Sequence, residues 1–137
     1  MAIPKENNEL HSSTDFNDPE VRKQLGQMVT RLFELWNLDT ATQLNLLGRS
    51  ETSRKGLSDI KQGILSNQRD SLDRIGWLLA IHKSLRILYP ENPALRYDWV
   101  NRRNKMLDNN TPIEIMKKEG IIGLAKISNY LDFLCGQ

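Results

Sequence analysis

The stretch Ser71 to Pro90, SLDRIGWLLAIHKSLRILYP, carries more apolar surface than a surface helix needs. Ile75, Leu78, Leu79, His82, Leu85, Leu88 and Tyr89 recur at helical spacing and form one stripe. Trp77 and Ile81 widen that stripe to a second side, and Arg74, Lys83 and Arg86 leave only a narrow wet face. A helix buried on two sides is either the centrepiece of a small all-α domain or part of a partner interface.

Other helical patterns surround it. Asp18 is a good N-cap, Pro19 suits the first helical position, and Glu20 favours the positive end of the helix dipole. The helix they open runs through VRKQLGQMVTRLFELWN with Val21, Leu25, Met28, Val29, Leu32, Leu35 and Trp36 as its core stripe. Gly26 weakens that helix by up to about 1 kcal/mol relative to Ala. Thr40 and Gln43 have capping-box spacing. The helix they start carries Ala41, Leu44, Leu46 and Leu47 and stops at Gly48, a C′ residue. Ser50 is placed to cap a third helix, ETSRKGLSDIKQG, and residues 64–70 connect it to the long one.

After Tyr89, the PENP segment breaks the chain, and Ala94 to Asn101 forms a short helix. Leu107 to Asn110 reads as a turn, because Asp and Asn bond to nearby backbone and tolerate the left-handed region. Thr111, Pro112 and Glu114 start another helix. Gly120 and Gly123 separate it from a last one, Leu124 to Leu134. No convincing strand is visible. The fold class is all-α, divided into a polar N-terminal arm (1–17), a helix-turn-helix-like unit (18–70) and a C-terminal helical unit (71–137).

Composition narrows the function classes only a little. The 137 residues carry 19 Lys and Arg against 17 Asp and Glu, a balance that identifies no partner. The single cysteine, Cys135, cannot form an internal disulfide and has no activating neighbour in sequence. The first residues lack an apolar h-region, and no apolar run reaches membrane-spanning length, so a soluble cytoplasmic protein is expected.

Catalytic chemistry is sparse. His11 lies in the arm and His82 in the apolar stripe, where a hydrogen-bonded structural histidine is expected. No Cys/His set has zinc spacing, no glycine-rich loop cradles a phosphate, and the carboxylates are scattered. The chain is expected not to be an enzyme and to need no cofactor or metal.

Three constellations are candidate binding surfaces. Thr40 to Lys61 has the connection length of a DNA-reading helix-turn-helix, with Arg49, Arg54, Lys55 and Lys61 for phosphates and Ser53 or Arg54 for base edges. The competing reading is an ordinary αα-hairpin with a solvated face. Leu44, where such motifs often place a small residue, and Gly56, inside the would-be recognition helix, support that competitor. The second constellation, Arg96 to Lys105, interleaves basic and aromatic residues as nucleic-acid surfaces do, although Trp99 and Val100 at this spacing fit a core with a basic rim. The third is the apolar end Tyr130 to Gln137. It is either a segment that enters a partner's cleft or a docked terminal helix with a frayed end.

Residues 71 to 104 resemble the toxin-binding domain of the Xre/MbcA/ParS antitoxin family. Members carry a stretch like ERI-x-x-LL-x-I-x-KALR-x-LFP, which stands here as DRIGWLLAIHKSLRILYP, Asp73 to Pro90. The family's Trp, apolar residue and later Asn correspond to Trp99, Val100 and Asn104. Its Phe-Gly-Gly turn, Ser/Thr and apolar helix correspond to Leu107-Asp108-Asn109, Thr111 and Ile113 to Met116. Its closing Tyr-Leu-Asp helix and Gly-containing tail correspond to Tyr130-Leu131-Asp132 and Gly136. With a looser match to the preceding region, the resemblance extends from about Met28 to the end.

That resemblance implies an antitoxin that occludes the active-site entrance of a RES-domain toxin, an ADP-ribosyltransferase-like consumer of NAD. It also implies repression of its own promoter, a homodimer and a larger toxin–antitoxin complex. Toxin contact is then expected from Trp99, Asn104, Asp108, Asn109, Tyr130, Phe133, Leu134, Gly136 and Gln137, with Trp99 partly in the core. Two departures matter. Asp108-Asn109 replaces the turn's glycines, and Ser128, Asn129 and Cys135 stand where the last helix of the family usually carries arginines. The rival classes are a DNA-binding regulator with no toxin partner, and a small structural oligomer with the long helix as its seam.

Overall fold

A computed structural model describes residues 15–65 and 68–136. The expected arm lies mostly outside the described residues, with His11 and residues 1–14. Within the described residues there are seven α-helices and no strand: α1 (Pro19–Leu35), α2 (Thr40–Leu46), α3 (Gly56–Lys61), α4 (Gln68–Leu88), α5 (Pro93–Asp98), α6 (Pro112–Glu119) and α7 (Ile121–Leu134). Single 3₁₀ turns occupy Trp99–Asn101 and Lys105–Leu107. The fold is all-α, as the apolar patterning predicts.

Local chemistry explains most boundaries. Asp18 Oδ1 accepts from the Glu20 N–H at 2.9 Å, with Pro19 at the first helical position. The α1, α2 and α3 C-termini each turn through a left-handed residue: Asn37 (φ 57°), Gly48 (φ 72°) and Gly63 (φ 80°). In each, two backbone N–H groups reach back to free carbonyls, as in Arg49 N to Leu44 O at 2.9 Å and Gly48 N to Asn45 O at 3.0 Å. Thr111 and Glu114 form a complete capping box at the start of α6.

Several boundaries depart from the sequence pattern. The α2 N-cap is Asp39, whose Oδ1 accepts from Thr42 N at 2.8 Å, and the Gln43 side chain donates instead to Leu38 O at 2.9 Å. The Thr42 hydrogen bonds, with Lys117 assisting, hold the Asp39 carboxyl below the usual range. The third helix is much shorter than the expected 51–63, and Ser50 does not cap it; its hydroxyl pairs with Thr52. Residues 51–55 have no apolar period to bury. The long helix begins at Gln68, not Ser71, and the expected 94–101 helix is α5 followed by a 3₁₀ turn.

Two glycines mark close crossings. A Cβ built on Gly26 would stand 1.8 Å from Ile60 O, so α1 and α3 touch backbone to backbone there. Gly123 lies inside α7 rather than before it, and its Cβ would stand 2.6 Å from Ile115 O in α6. Gly56 supplies the small residue that Leu44 lacks: its Cβ would meet Leu44 Cδ2 at 2.4 Å.

The core is one cluster running through all of these elements. Phe33, Trp36, Leu46, Leu47 and Ile60 from the N-terminal helices join Ile75, Leu78, Ile81 and Leu85 of α4 and Leu124, Ile127 and Leu131 of α7. Met28, expected in the core stripe, is exposed. Asn101 Nδ2 donates to Trp36 O at 2.8 Å and ties the end of α1 to the segment after α5. The long helix packs against α1, α5 and α7, which accounts for its two-sided apolar surface. No helix among the described residues is long and apolar enough to cross a membrane.

Candidate functional site

The C-terminal surface is built on α4. Ser84, buried on that helix, donates through Oγ to Asp132 Oδ1 at 3.3 Å, and its carbonyl accepts from the Cys135 thiol at 3.6 Å. These contacts and the buried face Leu124, Ile127, Ser128 and Leu131 fix α7 on α4. Ser128, where the family usually has an arginine, is therefore a core-facing residue. The opposite face of α7 carries Ile122, Lys126, Asn129 and Phe133, spaced 4, 3 and 4 residues apart. Phe133 is 74% exposed and Leu134 41%. Gly136 sits at φ 82° at the start of the tail. Gln137 lies outside the described residues.

Trp99 is 8% exposed and stacks on Tyr130 with ring centroids 6.4 Å apart and planes at 23°. It belongs to the core and presents Tyr130, which is half-buried. Val100 is fully buried beside it. The three arginines around them are engaged. Arg96 donates to Tyr89 O and Pro90 O and lies over the Tyr97 ring, and Arg102 faces Asp98 at 3.7 Å. Arg103 reaches Asn109 O at 3.0 Å and Glu114 at 3.3 Å. Within the stretch Arg96 to Lys105, only Trp99 and Val100 are buried; Arg96, Arg102 and Arg103 each meet an acceptor within the chain, and Lys105 is exposed without an ion pair among the described residues.

The loop 104–110 is closed on itself. Asn104 N donates to Asn110 O, Asn109 N to Asn104 O, and Asn104 Oδ1 caps Met106 N. Asp108 (φ 56°) and Asn109 (φ 63°) both occupy the left-handed region, so these residues adopt the conformation the family's glycines allow. Both side chains are exposed, while Asn104 is half-buried as the loop's brace. The sequence pattern missed Met106, which is 77% exposed at the tip of the rigid loop. The available signal was a lone apolar residue beside Lys105 in an otherwise polar turn.

The N-terminal basic residues are placed unevenly. Arg49 is turned inward: it donates to Ile64 O at 2.8 Å and lies 4.0 Å from Asp59. Arg54 and Lys55 precede α3, Lys61 ends it, and all three are exposed with no ion pair among the described residues. Ser53 is half-buried beside Gly56.

His82 is not hydrogen-bonded as expected. Its Nδ1 is buried without a partner, and the ring stacks on Tyr97 at 5.9 Å and 16°. Burial, followed by Arg86 and Arg96, depresses its pKa below the ordinary 6.5. A depressed histidine pKa means the unfolded chain takes up the proton first, so stability falls as pH drops through 6.5 toward the folded value. Chemical denaturation between pH 7.5 and 5.5 is expected to show this loss in the wild type and a smaller one in His82→Gln; equal losses would contradict it.

Among the described residues, no group of His, Cys, Asp or Glu is arranged to hold a metal ion. The sequence comparisons bear on the C-terminal surface. Residues 84–134 match the model of the antitoxin Xre/MbcA/ParS C-terminal toxin-binding domain. The match begins at Ser84, so the part of the resemblance from Asp73 to Lys83 lies outside it. An uncharacterized protein of Sinorhizobium fredii, y4oB, is 26% identical over 102 residues, covering 74% of this chain and 77% of its own. No solved structure matches the chain. The segment from Ser84 on α4 to Leu134 at the end of α7 is therefore similar to the Xre/MbcA/ParS antitoxin C-terminal toxin-binding domain.

Proposed function

We propose that this chain is the antitoxin of a type II toxin–antitoxin pair and neutralises a RES-type, NAD-consuming toxin by covering the entrance to its active site. The toxin-binding-domain match over residues 84–134 carries the reading. The exposed apolar end of α7 is consistent with it. A phenylalanine 74% exposed on a helix otherwise fixed by Ser84 is the kind of aromatic anchor that fills a partner's pocket. The contact surface comprises Asn104, Asp108, Asn109, Tyr130, Phe133, Leu134, Gly136 and Gln137, with Trp99 setting the position of Tyr130. The antitoxin performs no chemistry and needs no cofactor. The adjacent reading frame is expected to encode a RES-like toxin whose co-expression with this chain restores growth and yields a complex that co-purifies. Unrestored growth with no complex would contradict the reading.

We further propose that the chain acts as a cytoplasmic homodimer that assembles with its toxin and represses its own promoter through the 18–70 unit. Arg54, Lys55 and Lys61, exposed and without an ion pair among the described residues, favour that second activity, with Ser53 beside them. Arg49 braces the unit while its guanidinium meets Ile64 O. Binding to upstream DNA is expected to weaken steeply with salt. Arg54→Ala and Lys55→Ala together should reduce the slope of log affinity against log salt by about 2. An unchanged slope measured by fluorescence anisotropy would exclude these two residues from the phosphate contacts.

A further inference from the structure

The outward face of α4 carries a stripe that no helix among the described residues covers. Arg69, Asp73, Gly76, Ala80, Lys83 and Ile87 follow one another at intervals of 4, 3, 4, 3 and 4. At 3.6 residues per turn the six positions fall within about 80° of the helix circumference. All but Ala80, which is half-buried, are exposed. A Cβ built on Gly76 would meet no atom within 4 Å. Beside the stripe, Phe16, Leu25, Leu72 and Trp77 line an open, mainly apolar groove of about 900 Å³.

We infer that this face is a self-complementary seam on which a second copy of the chain packs, α4 against α4 in antiparallel orientation. The inference deepens the homodimer part of the reading above by assigning its surface. A two-fold axis requires that if one residue faces another, the second faces the first in return. Centred between Gly76 and Ala80, the stripe satisfies this throughout. Gly76 faces Ala80 of the second copy, Asp73 faces Lys83, and Arg69 faces Ile87. The small pair at the centre lets the two helices approach closely. Two equivalent Asp–Lys pairs flank it, neither partner being held in an ion pair within the described chain. The long Arg69 stem covers Ile87, and the groove residues extend the apolar contact sideways. Shifting the centre by one turn would set Asp73 against Gly76 or Lys83 against Ala80 and lose both Asp–Lys pairs, so the charges fix the register more than the strength.

Sedimentation of the full chain over a range of concentrations tests this. The wild type should dimerise. Gly76→Arg, which places its side chain in open space on a helix, should retain the helical circular dichroism and weaken dimerisation by about 100-fold, since a clash at the centre of a contact removes it. Asp73→Lys and Lys83→Asp should each weaken it by about 10-fold, and the double exchange should restore it, because only opposed positions compensate. A wild type that remains monomeric overturns both the seam and the homodimer. A dimer indifferent to Gly76→Arg overturns the seam and leaves the homodimer to another face. Self-association that survives while toxin binding is lost would assign the face to the toxin and overturn the inference.

Discussion

Replacing Gly26 with alanine is expected to lower the unfolding free energy by about 3 kcal/mol, because the added methyl has no room and the neighbouring atoms are backbone. The alanine Cβ would stand 1.8 Å from Ile60 O and 2.8 Å from Ile60 C. A flexible side chain could swing away from such a contact, but a carbonyl at the end of α3 cannot move without shifting the helix. Alanine favours helices over glycine by up to about 1 kcal/mol, and that gain is too small to offset the clash. Thermal unfolding would register the change as a drop in midpoint of roughly 10 °C for a chain of this size. Gly76→Ala, measured below the concentration at which the chain self-associates, is the control: its Cβ meets nothing, so the helix propensity alone remains and the protein should become slightly more stable. Equal effects from the two substitutions would show that α1 and α3 do not touch as described.

Phe133→Asp is expected to weaken toxin binding by about 30-fold or more, which corresponds to about 2 kcal/mol, the scale of an interface anchor. The same substitution should leave unfolding within about 0.5 kcal/mol of the wild type, because the ring is 74% exposed and packs little within the chain. Leu131→Ala separates the two roles. That side chain is fully buried two residues earlier on the same helix, and its truncation should cost about 2–5 kcal/mol of stability. If Phe133→Asp bound toxin as tightly as the wild type, the end of α7 would have no part in occlusion. The pair also tests the contrast between the two faces of α7, one fixed by Ser84 and the core, the other free for a partner.

Much of the chain was legible where local chemistry decides structure. Asp18-Pro19, Gly48 and the Thr111–Glu114 capping box each announce a helix boundary by satisfying or releasing particular backbone groups, and each sits where the pattern places it. The left-handed conformation of Asp108 and Asn109 follows from the same kind of reasoning. What the pattern missed depends on distant partners. Gly26 reads as a weak point in α1 until Ile60 is brought against it, and Gly56 reads as a defect until Leu44 fills its place. Gly123 reads as a helix break because nothing nearby in sequence shows that Ile115 O will press on it.

The candidate site divides along the same line. Trp99 and Val100 have core spacing and are buried, while the neighbouring arginines look free in sequence because their acceptors are carbonyls of Tyr89, Pro90 and Asn109. Arg49 misleads in the same way, since Ile64 O is brought to it only by the turn after α3. Met106 escaped notice because no pattern signals that a single apolar residue will be held outward by a loop closed between Asn104 and Asn110. Its exposure beside Asp108 and Asn109 adds an apolar contact to a surface that the sequence alone paints as polar.

The most direct measurement is a titration of the proposed RES-type toxin's NAD-consuming activity with the full chain. Occlusion predicts that activity falls linearly and is abolished at a fixed ratio of the two proteins, and that Phe133→Asp shifts the curve to much higher concentration. A complex that forms fully yet consumes NAD at the free toxin's rate would contradict occlusion of the active site.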